Sequence, residues 1–257
     1  MRFASLGSGS KGNATLVEYN QTCLMIDCGF SVKETTRRLQ GLSRVPEDIS
    51  AILVTHEHSD HWKGVMALAS QYSIPVYLTA GCLRAVGLAP KSYQGINLID
   101  SHSSFKLGEL EILPIPVPHD ASEPVQYIFS SIEHKLGLLT DTGSITPYIK
   151  SAYRDCDGLI IEANHDLDLL AAGDYPRFLK QRVAGLQGHL NNTQTAELIA
   201  HVDQQRVQHI VIAHISQANN NLKLVQEQLS AVYSGRGKIH YACQNSGFDW
   251  LQIGSQN

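Results

Sequence analysis

The segment Thr55-His56-Glu57-His58-Ser59-Asp60-His61 directly follows the apolar run Ala51-Ile52-Leu53-Val54, and it decides what kind of protein this is. The apolar run predicts a buried strand. Side chains two residues apart in an extended chain share a face, so His56 and His58 point the same way, with about 6.6 Å of rise between them. Asp60 and His61 follow where the chain turns into a helix, and they can bind a second ion. Imidazole and carboxylate groups without a thiolate suit Zn²⁺, Mn²⁺ or iron.

Three later apolar strands also end at a residue that can bind a metal. They are Ile115-Pro116-Val117-Pro118-His119, Leu138-Leu139-Thr140-Asp141 and Ile210-Val211-Ile212-Ala213-His214. Sites in α/β folds lie at strand ends, so we expect His119, Asp141 and His214 to belong to the same metal site as His56 and His58.

Predicted strands and helices alternate along the chain. Residues 13–18 and 23–27 predict a hairpin, and Ser31 with Glu34 forms a capping box that begins a helix. No low-complexity linker or charge block divides the sequence. We therefore predict an α/β protein, a four-layer αββα sandwich, with residues 1–257 in one domain.

The composition excludes several classes of protein. With 43% hydrophobic residues the chain is too apolar to be disordered, and no apolar run reaches the ~20 residues that span a bilayer. The start lacks the apolar core of an export signal, so we expect a cytoplasmic protein without membrane contact. Five cysteines without a C-x-x-C pair argue against a disulfide framework. A net charge of −4 excludes nucleic-acid binding through an overall basic surface, and 12 histidines remain to be explained.

A glycine-rich segment imitates a dinucleotide-binding loop. Gly7-Ser8-Gly9-Ser10-Lys11-Gly12 matches G-x-G-x-x-G, and Asp27 follows 20 residues after Gly7. That motif requires a helix after the glycines, whereas this sequence continues into a strand-like run. We interpret the segment as a turn at the rim of a site, where Ser8, Ser10, Lys11 and Asn13 can touch a substrate phosphate.

With this pattern of histidines and aspartates, the sequence resembles the metallo-β-lactamase superfamily over its whole length. The resemblance implies the αββα fold with two divalent metal ions per chain, Zn²⁺ or Mn²⁺. It implies that one ion is held by His56, His58 and His119, the other by Asp60, His61 and His214, and that Asp141 bridges them. Asp27 would support the site from beneath.

Several reactions are compatible with two such ions, because they activate water for attack on lactams, thioesters and phosphodiesters alike. None of the five cysteines stands at a ligand position, as a zinc β-lactamase usually requires. A glyoxalase-II-like thioesterase, or another small-molecule metallohydrolase, stays as the alternative, although only 43 residues follow His214. A metal-bound scaffold without activity would be expected to lack a ligand.

The residues around the expected metal ligands favour a phosphodiesterase. The segment from Gly188 to Leu198 resembles the part of tRNase-Z-like nucleases in which a histidine protonates the leaving oxygen, here His189. Together with Asn164, His165 and residues 214–220, it resembles the small bacterial exonuclease branch of YycJ/WalJ/VicX type. The resemblance implies catalytic roles for Asp60 and His189, and substrate contacts for Asn164, His165 and Asn192.

The implied activity is a 5′-to-3′ DNA exonuclease that acts in DNA repair, with nucleic acid as the partner and DNA favoured over RNA. An RNA-processing nuclease is the second alternative. Residue 191 is Asn, where the resemblance calls for a small hydroxyl side chain. Residues 166–187 are a candidate lid over the site. Arg177, Lys180 and Arg182 make this stretch locally basic, which fits either the steering of phosphates or a solvated helical face.

Overall fold

The structure of the protein is a computed structural model, which describes residues 1–89 and 93–254. Its strands, in chain order, are β1 (Arg2–Gly7), β2 (Ala14–Tyr19), β3 (Thr22–Ile26), β4 (Ala51–Leu53), β5 (Val76–Thr79), β6 (Ile96–Ile99), β7 (Phe105–Leu107), β8 (Leu110–Pro116), β9 (Val125–Ser130), β10 (Lys135–Leu139), β11 (Gly158–Glu162), β12 (His209–Ala213), β13 (Lys238–Tyr241) and β14 (Phe248–Gln252).

Nine α-helices lie within the described residues, and the first begins at the polar cap that the sequence predicts. They are α1 (Val32–Gly41), α2 (Ser59–Trp62), α3 (Val65–Tyr72), α4 (Ala80–Ala85), α5 (Pro147–Tyr153), α6 (Leu167–Ala172), α7 (Arg177–Val183), α8 (Asn192–His201) and α9 (Leu222–Ser230). Ser31 accepts a hydrogen bond from the Glu34 amide, and Asn191 forms a capping box with Gln194. Within the described ranges no helix is long and apolar enough to cross a membrane.

The chain folds into two compact units. The first is built from the described residues of Met1–Pro116, Ala121–Glu133 and Cys243–Asn257. The second consists of Val117–Asp120 and His134–Ala242. The prediction of one domain over residues 1–257 covers both units and also residues outside the described ranges, and it stays a prediction.

The first unit contains a mixed sheet with the strand order β14-β1-β2-β3-β4-β5-β6. Strands β14 to β3 pair antiparallel, and β3 to β6 pair parallel. Strand β4 is buried along its whole length, as expected for a parallel strand covered on both faces. Ile52 of this strand belongs to a core that also includes Leu16, Met25, Leu68 and Val76. Strands β7, β8 and β9 of the same unit pair antiparallel.

The second unit contains parallel strands in the order β13-β12-β11-β10. In these strands, Leu138, Ile160, Val211 and their neighbours are almost completely buried. Parallel neighbours end at the same edge of a sheet, so the residues that follow β10, β11 and β12 are brought close together. This edge of the sheet therefore brings together the polar residues at the ends of the three strands.

The predicted α/β class, with two mixed sheets and helices that flank them, is confirmed. The predicted hairpin is β2–β3, and Gly12 leads into strand β2 rather than into a helix, which removes the dinucleotide interpretation. Strands β1, β6 and β7 and helix α4 had no prediction. Strands β6 and β7 and helix α4 are short, and in strand β1 the apolar residues are interrupted by Ser5 and end at Gly7.

Candidate metal and catalytic site

Two neighbouring strand ends organise the site residues of the first unit. Strands β3 and β4 run parallel, and the Asp27 amide donates to the Leu53 carbonyl oxygen at 2.8 Å. This contact places the carboxylate of Asp27 beside Thr55. The Thr55 amide and hydroxyl donate to the two Asp27 oxygens at 2.8 and 2.7 Å. Asp27 is 3% exposed and its backbone is left-handed, with φ of 61°, so the surrounding structure fixes its position.

Asp27 also orients His61. The Asp27 Oδ2 atom lies 2.7 Å from His61 Nδ1, so that nitrogen carries the hydrogen and Nε2 keeps its lone pair. Metal-binding histidines usually show this pattern, in which the second ring nitrogen is held by a carboxylate or a carbonyl. Burial raises the pKa of Asp27, against the opposing influence of His61 and Thr55. Asp27 therefore holds Thr55 and His61 in place, and its role as the support of a metal site stays a prediction.

The imidazoles of His56 and His58 face each other. His56 Nε2 lies 3.1 Å from His58 Nδ1, and His56 Nδ1 lies 2.9 Å from the Thr55 hydroxyl. Two nitrogens bound to one tetrahedral Zn²⁺ at 2.0–2.1 Å lie about 3.3 Å apart. The spacing of the His56 and His58 nitrogens therefore fits two ligands of a single ion. The two imidazoles lie together, as expected for side chains two residues apart that share a face.

Asp60 and His61 form the second pair of the first unit. Asp60 Oδ2 lies 3.5 Å from His61 Nε2. The side-chain amide nitrogen of Asn13 lies 3.2 Å from Asp60 Oδ2 and 3.1 Å from His61 Nε2. The Asn13 backbone amide donates to the Asp60 carbonyl oxygen at 2.8 Å. Asn13 therefore ties the glycine-rich segment to the pair.

Gln244 holds the glycine-rich segment in place. Its side-chain oxygen accepts from the Lys11 amide at 2.8 Å, and its side-chain nitrogen donates to the Gly12 carbonyl at 2.9 Å. Gly9 and Gly12 have φ of 141° and 140°, values that L-residues rarely adopt. A Cβ at Gly9 would lie 2.6 Å from the Gln244 side-chain oxygen. The glycines are thus required for this clamp rather than for a dinucleotide.

Three parallel strands of the second unit end at acidic or histidine residues. Asp141 follows β10, Glu162 ends β11, and His214 follows β12. Asp141 and His214 have left-handed backbones, with φ of 53° and 51°. Asp141, Glu162 and His214 are all buried. Because their strands are adjacent and parallel, the three side chains meet at one edge of the sheet.

These three side chains form a cluster with His189. Ligand atoms of Asp141, Glu162, His189 and His214 lie within 4.8 Å of one another. Asp141 Oδ1 lies 3.6 Å from His214 Nε2, and His214 Nδ1 lies 3.2 Å from the side-chain amide of Asn164. The rings of His189 and His214 stack at 5.1 Å between centroids. Carboxylate and imidazole donors in this arrangement suit a divalent cation.

Glu162 is the buried centre of this cluster. Its Oε1 atom accepts from the Thr142 amide at 2.7 Å, and its Oε2 atom lies 3.0 Å from His189 Nδ1. Burial alone would raise the pKa of Glu162, but the charge of the His189 imidazole and its hydrogen bond bring that pKa below its ordinary value. An ionised carboxylate can only accept hydrogen bonds, so Nδ1 of His189 carries a hydrogen. Nε2 of the same ring is left to contact a substrate or an ion.

His119 is oriented by a backbone carbonyl. Its Nδ1 atom donates to the Gly188 oxygen at 3.0 Å, which leaves Nε2 able to bind a metal. Burial lowers the pKa of His119 and so favours the neutral imidazole that coordination requires. Gly188 is essential to this contact, because a Cβ there would lie 2.2 Å from the carbonyl oxygens of Arg182 and Val183.

The predicted substrate-contacting residues divide into exposed and buried groups. Ser10 and Lys11 are exposed, whereas Ser8 and Asn13 are buried. In the second unit, the side-chain amide of Asn164 contacts His214, and that of Asn192 pairs with Asn220 at 2.8 and 3.0 Å. His165 is completely buried, and neither of its ring nitrogens has a hydrogen-bond partner among the described residues.

The sequence alone suggested no role for Glu162 or Gln244. Glu162 ends an apolar strand, which is the same signal that singled out Asp141 and His214. Gln244 lies 232 residues after Gly12, and no local pattern shows their contact.

The family model described as the beta-lactamase superfamily domain matches residues 22–215, so the chain belongs to the metallo-β-lactamase superfamily.

The relatives and a solved structure extend this likeness over nearly the whole chain. The sequence is 35% identical to exodeoxyribonuclease YycJ of Bacillus anthracis over 241 residues, 92% of this chain and 90% of that protein. It is 36% identical to exodeoxyribonuclease WalJ of Streptococcus pneumoniae, over 85% of this chain and 83% of that one. The crystal structure of the metallo-β-lactamase fold protein YhfI from Bacillus subtilis matches with a TM-score of 0.76 and 16% identity, and covers 98% of this chain and 99% of that chain. These findings confirm the predicted superfamily and its fold.

Proposed function

We propose that this protein is a metal-dependent phosphodiesterase with two divalent ions, and that it removes nucleotides from DNA in the 5′-to-3′ direction. Its membership of the superfamily and its 35–36% identity to two proteins named exodeoxyribonuclease support the proposal. The location in the cytoplasm and the role in DNA repair stay predictions.

The donor groups of the two units fit divalent metal ions. In the proposal His56, His58 and His119 would hold one ion, Asp60, His61 and His214 would hold the other, and Asp141 would be a ligand of both. The atom pairs within each unit support it, since His56–His58, Asp60–His61 and Asp141–His214 are separated by 3.1, 3.5 and 3.6 Å. When bound, two such ions supply a nucleophile from water near neutral pH and stabilise charge on the attacking and leaving oxygens.

The hydrogen bond between Glu162 and His189 is the observation that favours one reaction over the others. His189 lies beside the donor cluster, its Nδ1 is fixed by Glu162 at 3.0 Å, and its side chain is 20% exposed. This geometry suits a general acid, which gives the proton on Nε2 to a leaving oxygen. Glu162 then stabilises the charged imidazole before the transfer and keeps the ring oriented.

A positioned acid discriminates between the proposed reaction and thioester hydrolysis. The alkoxide that leaves a phosphodiester is strongly basic and needs a proton, whereas a thiol has a pKa of about 8.5 and leaves more readily as the anion. The buried carboxylate behind His189 would contribute little to a thioesterase. The observation therefore favours a phosphodiesterase over the glyoxalase-II-like alternative.

The remaining predicted site residues divide into two roles in the proposal. Lys11 and Ser10, which are exposed next to the Asn13–Asp60 contact, would touch a phosphate. Asn13 and Asn164 would position metal ligands, because each contacts one of them directly. Asn192 would shape the site through its pair with Asn220.

The test uses purified protein with Mn²⁺ or Zn²⁺ and oligonucleotides labelled at either end, as duplex DNA, single-stranded DNA and RNA. We expect metal-dependent release of mononucleotides, and the labelled end that disappears first gives the polarity. The variant His58→Ala should lose at least one ion by elemental analysis and nearly all activity. The matched control is His102→Ala, because His102 is exposed and lies outside the donor groups.

Three results would refute the proposal. They are the absence of metal-dependent digestion, equal digestion by His58→Ala, and turnover of S-lactoylglutathione without turnover of bis-p-nitrophenyl phosphate. Faster digestion of RNA than of DNA would instead support the RNA-processing alternative.

A further inference from the structure

Residues 177–187 present apolar side chains to solvent beside the catalytic residues. Helix α7 contains no buried residue. Phe178 is 71% exposed and Leu186 is 77% exposed, which places them among the most exposed large apolar side chains of the described residues. Two large apolar side chains exposed within one short segment mark a candidate interaction site.

A cavity continues this surface. It has a volume of about 640 Å³ and is lined by residues that include Pro118, Asp120, Gln181, Arg182 and Leu186. Residues three and four apart on a helix share a face, so Phe178 lies on the same face of α7 as Gln181 and Arg182. We refer to Phe178, Gln181, Arg182 and Leu186 as the α7 face.

The charge around the α7 face differs from that of the whole protein. Residues 175–192 include Arg177, Lys180 and Arg182 and no Asp or Glu, whereas the whole chain has a net charge of −4. Arg177 is exposed, Lys180 donates to the Ala171 carbonyl at 2.6 Å, and Arg182 pairs with Asp120. This local positive charge beside exposed apolar groups complements a polymer that carries both phosphates and flat apolar rings.

The α7 face is joined to the catalytic residues by backbone contacts. The His189 amide donates to the Val183 carbonyl at 2.9 Å, and the Ser144 hydroxyl donates to the Leu186 carbonyl at 3.1 Å. The Gly188 carbonyl, two residues after Leu186, holds the His119 ring. A ligand on this face is therefore placed in a fixed relation to His189 and His119.

We propose that the α7 face binds a single-stranded segment of the nucleic-acid substrate, with one base stacked on Phe178 and a second against Leu186. The phosphates between them would contact Arg177, and they would contact Arg182 in exchange for its pair with Asp120. This inference rests on the proposed function, because it extends the substrate beyond the nucleotide that is cleaved. Stacking on an aromatic ring tolerates any base, which suits an exonuclease that moves along a strand.

The first measurement is binding of fluorescent single-stranded oligonucleotides in EDTA, where no digestion occurs. Loss of one stacked base costs a factor of about 5 to 150 in affinity, so Phe178→Ala should raise Kd by that factor. Arg177→Gln should reduce the slope of log Kd against log salt by about 0.7 for each phosphate that the arginine neutralises. The matched control is Ile132→Ala, because Ile132 is 92% exposed and precedes β10 at the end opposite Asp141.

A length series gives a second, independent measurement. Wild-type affinity should rise with each nucleotide added beyond a dinucleotide, and the double variant Phe178→Ala/Leu186→Ala should lose most of this gain. In the digestion assay the same variant should raise KM for long strands much more than it lowers kcat. Circular dichroism and thermal melting establish that the variants are folded.

Equal affinity of the double variant and the wild type for all lengths would overturn the inference. A shift of the double variant from dimer to monomer, with unchanged oligonucleotide affinity, would also overturn it and identify the face as an interface between copies. These outcomes are separate from failure of the proposed function, because binding in EDTA does not depend on digestion.

Discussion

Replacement of Glu162 by Gln tests the proposed role of the buried carboxylate directly. The side chain is completely buried and makes contacts with the Thr142 amide and with His189. Gln has the same shape, and its oxygen can still accept from the Thr142 amide. Its amide nitrogen then faces His189 Nδ1, so a donor replaces the acceptor.

The structure gives the expected size of the effect. The bond from His189 to Glu162 joins a cation to an anion, and such a bond contributes roughly 1.5–3 kcal/mol. The bond stabilises the proton-donating form of His189 before the transfer, so its removal costs that form at most the whole of this contribution. At 1.36 kcal/mol per factor of ten, kcat should fall by roughly 10- to 150-fold.

The assay compares kcat for a DNA substrate with metal content from elemental analysis. We expect Glu162→Gln to keep both ions and a KM close to that of the wild type. The matched control is Asp157→Asn. Asp157 is a buried carboxylate just before β11, at the other end of the strand from Glu162, and it pairs with Arg206 at 3.0 Å. This control should change stability and leave kcat unaffected.

A kcat of Glu162→Gln within twofold of the wild-type value would refute the proposed role of the carboxylate. Loss of an ion from the variant would also refute it, because His214 Nδ1 lies only 3.7 Å from Glu162 Oε2 and the carboxylate would then act through that ligand. A parallel fall of kcat in Asp157→Asn would indicate a general effect of removing a buried charge.

Three further predictions use other parts of the site. His189→Ala should lower kcat by about 10²–10⁴-fold with both ions retained, and loss of one ion would instead make His189 a ligand. Gly188→Ala should lower the free energy of unfolding in urea by about 1–3 kcal/mol, because its Cβ would collide with two carbonyls, and unchanged stability would contradict the described loop. Burial lowers the pKa of His165 to about 4, so the unfolded chain takes up a proton that the folded chain does not. The free energy of unfolding should then fall by at most roughly 3 kcal/mol as the pH drops from 6.5 to 4, and His165→Leu, measured in EDTA, should abolish that part of the dependence.

The strand ends explain how much of the site was predictable from the sequence. An apolar run followed by His or Asp can be read directly, and the parallel pairing of β10, β11 and β12 brings the residues after such runs together. The same rule applied to residues 158–162 predicts Glu162, although its fixed partner, His189, lies 27 residues later. The fold class was predictable for the same reason, since buried parallel strands have the strongest hydrophobic patterns.

Interactions that depend on loop conformation were not predictable. The Gly188 carbonyl holds His119, but the direction of a carbonyl in a loop is set by the packing of residues 182–188 rather than by local pattern. Gln244 reaches the glycine-rich segment only because β1 pairs with β14. The burial of Asn192 and His165 likewise follows from tertiary packing, since neither residue type is apolar.

The left-handed backbone at Asp27, Asp141 and His214 has a consequence for how this protein can be handled. Each such residue costs on the order of 1–3 kcal/mol, and the packing of the buried strands that precede it offsets that cost. In a zinc finger, by contrast, the binding of the ion drives the folding of the chain. Here the apoprotein should remain folded after chelation, so that one preparation can be stripped and reloaded with Zn²⁺, Mn²⁺ or Co²⁺. The preferred ion can then be determined by exchanging ions on the folded protein, without a refolding step.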